Sequence, residues 1–307
     1  MGAGKAGFSL GKYFSERIRE NYCKDSKSSG QALENLKVRG YYSLNPNSSR
    51  EAAEFTESKS YGSTKELVSE CDMIFLTVPD GSIKSTWEEI SGYDVEGKLI
   101  CHCSGAISSE DAFLGIEKTG AFGYSVHPLF AVSDKYKTYR ELTDVFFTLE
   151  GCRTNPCRND EGEDYNLCMI RDMLSAMGNP SRIIEPDSKT KYHCGAAAAS
   201  NLVCGLADLS IELFCECGFS EDEAVKALAP ILMGNMKHIA KEGPTASLTG
   251  PVERNDVGTV RKHLECFEDE SGKNLYSLIS KRLVKMAQRR YPERDYSGMS
   301  EILGKDE

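Results

Sequence analysis

Six residues at the amino terminus, Gly2-Ala3-Gly4-Lys5-Ala6-Gly7, constrain the fold of this chain more than any other stretch. The three glycines have different reasons to be there. Gly2 allows a tight turn out of a strand, Gly4 lets backbone come close to phosphate oxygens, and Gly7 lets a helix pack tightly on a sheet. A dinucleotide's pyrophosphate would then sit where unpaired backbone N–H groups and the positive end of the helix converge. Phe8–Phe14 continues with apolar positions that suit such a helix. One part of the pattern is missing: the fingerprint should follow an apolar strand, and only Met1 precedes it. The sequence therefore reads either as a sheet without its central strand or as a start internal to a longer product. A glycine-rich, frayed terminus is the plain alternative.

The first half alternates strand-like and helix-like runs. Cys23–Gly30 is polar and serine-rich and reads as an inserted surface loop. Val38–Ser43 is a short strand ending at an Asn45-Pro46 turn, and Asp72–Val78 is a buried parallel-type strand ending at Pro79-Asp80-Gly81. Lys98–Cys103, Phe122–Val126, Val145–Leu149 and Arg182–Ile184 supply further strands. Ser63–Cys71 and Tyr165–Met177 read as helices, and Arg153–Asp164 as a charged loop. This alternation predicts an α/β fold with a doubly wound, mostly parallel, Rossmann-like sheet. From about Pro186 only helical periodicity remains: Lys189–Phe214, Asp222–Lys241, Val257–Phe267 and Leu275–Arg290, with Gly218, Gly243-Pro244 and Gly272 as breaks. The tail after Tyr291 is polar and reads as loose. Two domains are expected in these 307 residues, a sheet domain over 1–186 and an all-α domain over 187–307.

Charge and cysteine usage narrow the partners. A formal net charge of −10 argues against nucleic acid or an anionic membrane. Cys101-x-Cys103, Cys152-x4-Cys157 and Cys215-x-Cys217 do not form the paired spacing of a zinc site. With no apolar signal segment, the cysteines read as reduced, buried small hydrophobes and the location as cytoplasmic. Cys194–Leu209 is interrupted by Ser200, Asn201 and Asp208, so no membrane span is expected.

No Asp or Glu ends the second strand to accept from a ribose 2′-hydroxyl. Ser43, Asn45, Ser48 and Arg50 offer donors instead, which favours NADP over NAD. The competing reading is an Asn-Pro turn whose polar residues only cap the next helix. In Lys189–Asn201, helical offsets of four and eleven put Lys189, His193 and Ser200 on one stripe, with Asn201 about 80° round from His193. From Gly195 to Ala199 there are only Gly and Ala. Two readings stay open: a small-residue packing helix with a wet edge, or a helix laying proton donors beside a substrate.

GAGKAG, LTVPDGSI, HCSGAISS, SVHPLFAV, KTKYHCGAAAASN and LTGPVERND occur here in the order seen in a bacterial family of Rossmann-like proteins with an uncharacterised carboxyl-terminal helical domain. That family resembles the group containing 6-phosphogluconate dehydrogenase, β-hydroxyacid dehydrogenases, pyrroline-5-carboxylate reductase and deazaflavin-dependent NADP reductases. The resemblance implies NADP(H) binding, a helical domain that completes the cleft, a small-molecule substrate and commonly a homodimer. Carried over by position, Gly2, Gly4 and Gly7 would hold the pyrophosphate and Ser43 and Asn45 the adenosine end. Thr77, Val78 and Pro79 would line the cofactor's middle, and Ser104 would approach the nicotinamide. The wider group has a catalytic Lys followed four residues later by Asn, whereas Lys189 is followed at that offset by His193.

Hydride delivered to a C=O or C=N carbon leaves charge on the heteroatom, which needs a donor within reach. An imidazole, with an unperturbed pKa of about 6.5, suits His193 to that transfer. Lys189 would polarise the acceptor or hold a carboxylate, and Asn201 would orient the substrate. His127 reads either as a member of this sheet edge or as a loop-locking hydrogen bond, and His102 as a core residue. Arg254 reads equally as an anion clamp or as a partner of Glu253 or Asp256. The expected function is NADP-dependent hydride transfer to or from a small carbonyl, hydroxy-acid or imine compound. A non-catalytic NADP-binding sensor, using the helical half for a partner, is the alternative.

Overall fold

The computed structural model describes residues 1–23, 33, 35–155, 162 and 164–304. The expected insertion from residue 24 on, and most of the 153–164 loop, lie outside those residues. The chain divides into two compact units, Met1–Ala199 and Ser200–Glu307.

The first unit runs α1 (Lys5–Cys23), β1 (Gly40–Tyr41), α2 (Pro46–Thr56), β2 (Lys59–Ser60), α3 (Thr64–Glu70), β3 (Met73–Leu76), α4 (Ile83–Ile90) and β4 (Leu99–His102). It continues with α5 (Ser109–Ala112), β5 (Phe122–Pro128), β6 (Phe147–Gly151), α6 (Tyr165–Ala176), β7 (Ser181–Ile183) and α7 (Lys189–Ala199). Strands β3-β4-β5-β6-β7 form one sheet, parallel except for the antiparallel β5–β6 pair. Strands β1 and β2 pair in parallel beside it. The expected Rossmann-like, mostly parallel sheet is what forms.

Helices cover both faces because the strands alternate between two apolar layers. Leu99 and Cys101 pack with Leu10, Phe14, Ile170 and Leu174 of α1 and α6. Ile74, Leu76 and Ile100 point the other way, onto Trp87, Ile90 and Phe113. Each such side chain contributes roughly 1.5–3 kcal/mol by burial. Side-chain caps fix where helices begin: Ser63 accepts from Glu66 N, Ser108 from Asp111 N and Asp164 from Leu167 N.

Met1-Gly2 lies between β1 and β3. The Met1 nitrogen donates to Phe75 O at 2.5 Å, and Thr77 N donates to Met1 O at 2.8 Å, a parallel bridge. On the other side Gly2 N donates to Tyr42 O at 2.8 Å. Met1-Gly2 thus stitches the two sheets together at their carboxyl edge.

The division between units falls at Ala199/Ser200, not at Pro186, and the single helix expected over Lys189–Phe214 is broken there. Ser200 has φ −121° and ψ −80°, outside helical geometry, so α7 stops and α8 (Asn201–Glu216) starts afresh. Ser200 is therefore off the helical stripe that Lys189 and His193 were expected to share with it. Helix α7 counts with the sheet unit because Lys189 is buried there. Contrary to expectation, Pro186–Glu216 is long and apolar enough, at mean hydropathy 1.4, to cross a membrane by length and composition. The polar interruptions at Ser200, Asn201 and Asp208 are too few to lower its mean.

The second unit continues with α9 (Glu221–Glu242), α10 (Pro244–Ser247), α11 (Val257–Glu265), α12 (Glu270–Arg290) and α13 (Ser297–Ile302). Gly272 is no break. It is buried in the first turn of α12, its N–H held by the Asp269 cap. Nor is the tail loose: Tyr296, Met299 and Leu303 join Val260, Leu264 and Val284 in the core of this unit. Tyr296 Oη and Arg294 Nη1 both donate to Glu253 O, at 2.9 and 2.6 Å. Met299→Ala is expected to cost about 2–5 kcal/mol, the range for emptying a buried methionine site, read as a lower urea midpoint of the transition that includes this unit. No change in the midpoint would return the tail to the loose state read from its polarity. Five of the ten described cysteines, Cys194, Cys204, Cys215, Cys217 and Cys266, are exposed rather than buried.

Candidate active site

The glycine run builds the expected loop. Gly2 has φ +97°, and a Cβ there would stand 2.7 Å from Thr77 O. A Cβ on Gly7 would stand 2.4 Å from Gly2 O and 2.7 Å from Thr77 Oγ1, so the start of α1 and the loop touch through bare backbone. Around Gly4 there is nothing within 4 Å. The two outer glycines are therefore required by packing, and the middle one leaves open space at the start of α1. That is where an anion approaching free N–H groups would need it. Thr77 Oγ1 donates to Gly2 O at 2.9 Å and fixes the bend to the end of β3.

Asn45 caps α2, accepting from Asn47 N at 3.0 Å, and Arg50 donates to Asn47 Oδ1 at 2.6 Å. The capping reading of this turn is thus realised for Asn45, while Ser43 stays half-buried after β1 without that duty. Val78 and Pro79 follow Thr77 into the turn before α4. Ser104 is buried and its hydroxyl is fully used. It donates to Asp80 Oδ2 at 2.9 Å and accepts from Ala106 N and Ile107 N at 3.1 and 3.2 Å. Its side chain shapes the loop after β4.

Lys189 is brought into the first unit and is 2% exposed, like Glu150 at 0%. Its Nζ donates to Ser125 Oγ and lies 3.9 Å from Glu150 Oε2. Register explains the meeting, since Ser125 and Glu150 are directly paired across β5 and β6. Glu150 also accepts from Ser109 N at 2.9 Å and Ser109 Oγ at 2.6 Å, so the start of α5 holds its carboxylate. Burial pulls the Lys189 ammonium below its usual range, against the opposing pull of Glu150. Burial likewise pushes the Glu150 carboxyl up, against the Ser109 bonds and Lys189.

His127 stands next in line on β5. Its Nδ1 is 2.7 Å from Tyr192 Oη of α7, and its Nε2 lies 2.8 Å from where a Gly105 Cβ would be. The bond locks the strand end to helix α7, which is the structural role read from sequence, and Gly105 leaves room for the ring. Burial, then Lys189 and His193, lowers the His127 pKa to about 4. His193 itself is exposed on α7, close enough to act on His127 electrostatically. Asn201 is exposed at the start of α8 in the second unit, where its Oδ1 accepts from Ser200 Oγ at 3.2 Å. His102 is fully buried, its Nδ1 accepting from Ser104 N at 3.2 Å, and burial lowers its pKa to about 3. In the second unit Arg254 is exposed, and α11 is capped by Asp256, which accepts from Thr259 N at 3.0 Å. The Thr259 bonds hold the Asp256 carboxyl below its usual range, and Arg254 adds to that electrostatically, in keeping with its reading as a partner of Asp256.

Sequence reasoning missed Ser125, Glu150 and Tyr192. It gave Tyr192 no role although it lies inside a quoted motif. Among the described residues no group of three or more His, Cys, Asp or Glu is placed to hold a metal ion.

Buried neutral imidazoles have a measurable consequence. An unfolded histidine titrates near 6.5, so as pH falls the unfolded state takes up protons first. The contribution of His127 is complete above about pH 6.5 and is lost as pH falls towards 4, its folded value. Glu150, shifted upward, acts in the opposite sense, so a variant isolates the imidazole. His127→Asn is expected to flatten the loss of unfolding free energy between pH 7 and pH 5 by on the order of 2 kcal/mol. Parallel curves for the two proteins would mean that His127 is not held neutral.

Comparison with known proteins bears out the resemblance carried by the motifs. Residues 160–283 match the family model described as "Domain of unknown function (DUF2520)". No curated protein matches. The chain is similar to the solved structure of protein TM1727 from Thermotoga maritima, with 26% identity over 81% of this chain and 90% of that one, and a TM-score of 0.63. It is similar in fold to a provisionally assigned NADP oxidoreductase from Bacteroides fragilis: 16% identity, 93% and 96% coverage, TM-score 0.65. Plasmodium falciparum pyrroline carboxylate reductase, solved with NADP bound, aligns at 14% identity over 94% and 97% of the chains, TM-score 0.50.

Proposed function

We propose that this chain is an NADP(H)-dependent oxidoreductase that moves hydride to or from a small carbonyl, hydroxy-acid or imine carbon. The observation that carries the reading is Lys189. A lysine ammonium buried at the carboxyl edge of a Rossmann-like sheet is costly unless it has work there. It is held by Ser125 and Glu150 and flanked by the His127–Tyr192 pair. Structures of similar fold that are NADP oxidoreductases or reductases support the cofactor class.

The nucleotide supplies or accepts the hydride when bound, and the residues of this chain do the rest. Gly2, Gly4 and Gly7 shape the anion-binding bend, and Thr77 fixes it. Ser43 and Asn45, with Arg50 on α2, meet the adenosine 2′-phosphate end of the nucleotide. Lys189 supplies positive charge where the substrate heteroatom becomes negative, with Ser125 as the hydroxyl bridge that can pass a proton. His193, exposed on the same helix, exchanges protons with solvent. The second unit forms a homodimer. For that assembly the support is exposed apolar side chains on α9, Ile231 at 65% and Met233 at 60% exposure. The sensor reading keeps the same nucleotide contacts but leaves Lys189 without a reaction to serve.

NADPH at 100 times its Kd is expected to stabilise the protein by about 2.7 kcal/mol, a rise in Tm of several degrees, with NADH giving less at equal concentration. A differential scan with each nucleotide decides it. No rise with either nucleotide ends the oxidoreductase and the sensor readings together.

A further inference from the structure

Helix α7 meets the sheet in two steps of one register. Ser125 pairs with Glu150 and His127 with Thr148 across β5 and β6. Lys189 docks on the first pair and Tyr192 on the second. The first step extends both ways as a buried polar line. Ser125 Oγ accepts from Lys189 Nζ and donates to Ser104 O at 3.3 Å, so one end of the line reaches the loop after β4. At the other end Glu150 takes the Ser109 N–H on both oxygens, at 2.9 and 3.1 Å. The Ser109 hydroxyl goes to Oε1 alone, at 2.6 Å, which leaves Oε2 turned towards Lys189. At 3.9 Å from Nζ, Oε2 is beyond a direct hydrogen bond and acts by charge.

Little else supports that ammonium. Cys103, His102 and His127 also face it, but burial pushes the thiol up to about 12 and lowers the imidazoles to about 3 and about 4. All three are therefore neutral between about pH 6 and pH 10. Tyr192 presents its ring, with the centroid 5.9 Å from Nζ. Asp80 is the other carboxylate that acts on Lys189, but it is exposed in the turn before α4 and bonded to the Ser104 hydroxyl. Solvent screens such a charge. Glu150 is 0% exposed, so its charge acts at full strength.

We propose that Glu150, braced by Ser109, is a positioning residue of this site: it fixes the Lys189 ammonium against Ser125, keeps it charged out of reach of water, and so sets the upper end of the pH range for turnover. The role in turnover rests on the oxidoreductase reading. The hold on Lys189 does not, because it can be measured without nucleotide or substrate.

Selective isotope labelling of lysine lets NMR follow the Lys189 ammonium through its Cε resonance as pH is raised. The resonance is assigned from its loss in the protein carrying both Lys189→Met and Glu150→Gln. Glu150→Gln alone keeps an acceptor for Ser109 and removes the charge. Its Lys189 should lose the proton about one to three pH units below the parent, the usual reach of an opposite charge at this distance. Ser109→Ala removes the hydroxyl bond and keeps the N–H bond, so it should move the titration the same way by less. The alkaline limb of kcat/KM for NADPH oxidation should move with the resonance in each variant. The proposal is overturned if Lys189 titrates as in the parent in both variants, with circular dichroism showing both folded, or if the limb stays in place while the resonance moves. Absence of turnover in the parent would count against the oxidoreductase reading alone, and the titration by itself would then uphold or overturn the hold of Glu150 on Lys189.

Discussion

Gly7→Ala is expected to cost this protein about 3 kcal/mol of stability and its nucleotide, while Gly4→Ala costs the nucleotide alone. The contrast follows from what each new methyl group meets. At Gly7 it would stand 2.4 Å from the Gly2 carbonyl oxygen, a backbone atom held in place by Thr77. Neither side can yield without opening the bend, so the overpacking cost falls at or above the usual 1–3 kcal/mol. At Gly4 the methyl group meets nothing within 4 Å, so stability should stay within about 0.5 kcal/mol. It would, however, occupy the open ground at the start of α1 where phosphate must approach, and NADPH affinity should fall at least tenfold. Urea midpoints and NADPH titrations of the two variants give the answer. If Gly4→Ala bound NADPH as the parent does, the bend would not be the pyrophosphate site.

Lys189→Met is expected to lower turnover by about a hundredfold to ten-thousandfold, the usual contribution of a positioned proton-transfer group. It should also destabilise the fold by roughly 3–5 kcal/mol, since it leaves Glu150 buried without its cation. These two losses have different causes and can be separated. Glu150→Gln keeps an acceptor for Ser109 N–H and Oγ–H while removing the stranded charge. The double variant should therefore regain most of the stability and none of the turnover. A double variant as active as the parent would reduce Lys189 to a structural cation. The comparison needs only NADPH oxidation against a panel of small carbonyl and imine compounds, with unfolding curves run alongside.

Local grammar made the sheet readable. Short apolar runs ending in Gly, Pro or Ser turns predicted β3, β4 and β5, and all three formed close to the expected bounds. The glycine bend was equally legible, because its reasons lie within six residues. Glu150 was not, since its partners Ser109 and Lys189 lie about forty residues away on either side and only the β5–β6 register brings them together. Tyr192 and His127, 65 residues apart, meet only because α7 packs against the end of β5. The break at Ser200 carried no signal: Gly-Ala-Ala-Ala-Ala-Ser-Asn has no proline, and helical propensity alone runs straight through it. In the tail, Tyr296 and Met299 sit among charges that hide an apolar face on a short helix.

The position of that break bears on how such a molecule could diversify. Because α7 ends at Ala199, a recombination event just past it would transfer the later helices while leaving Lys189, Tyr192 and their strand partners intact.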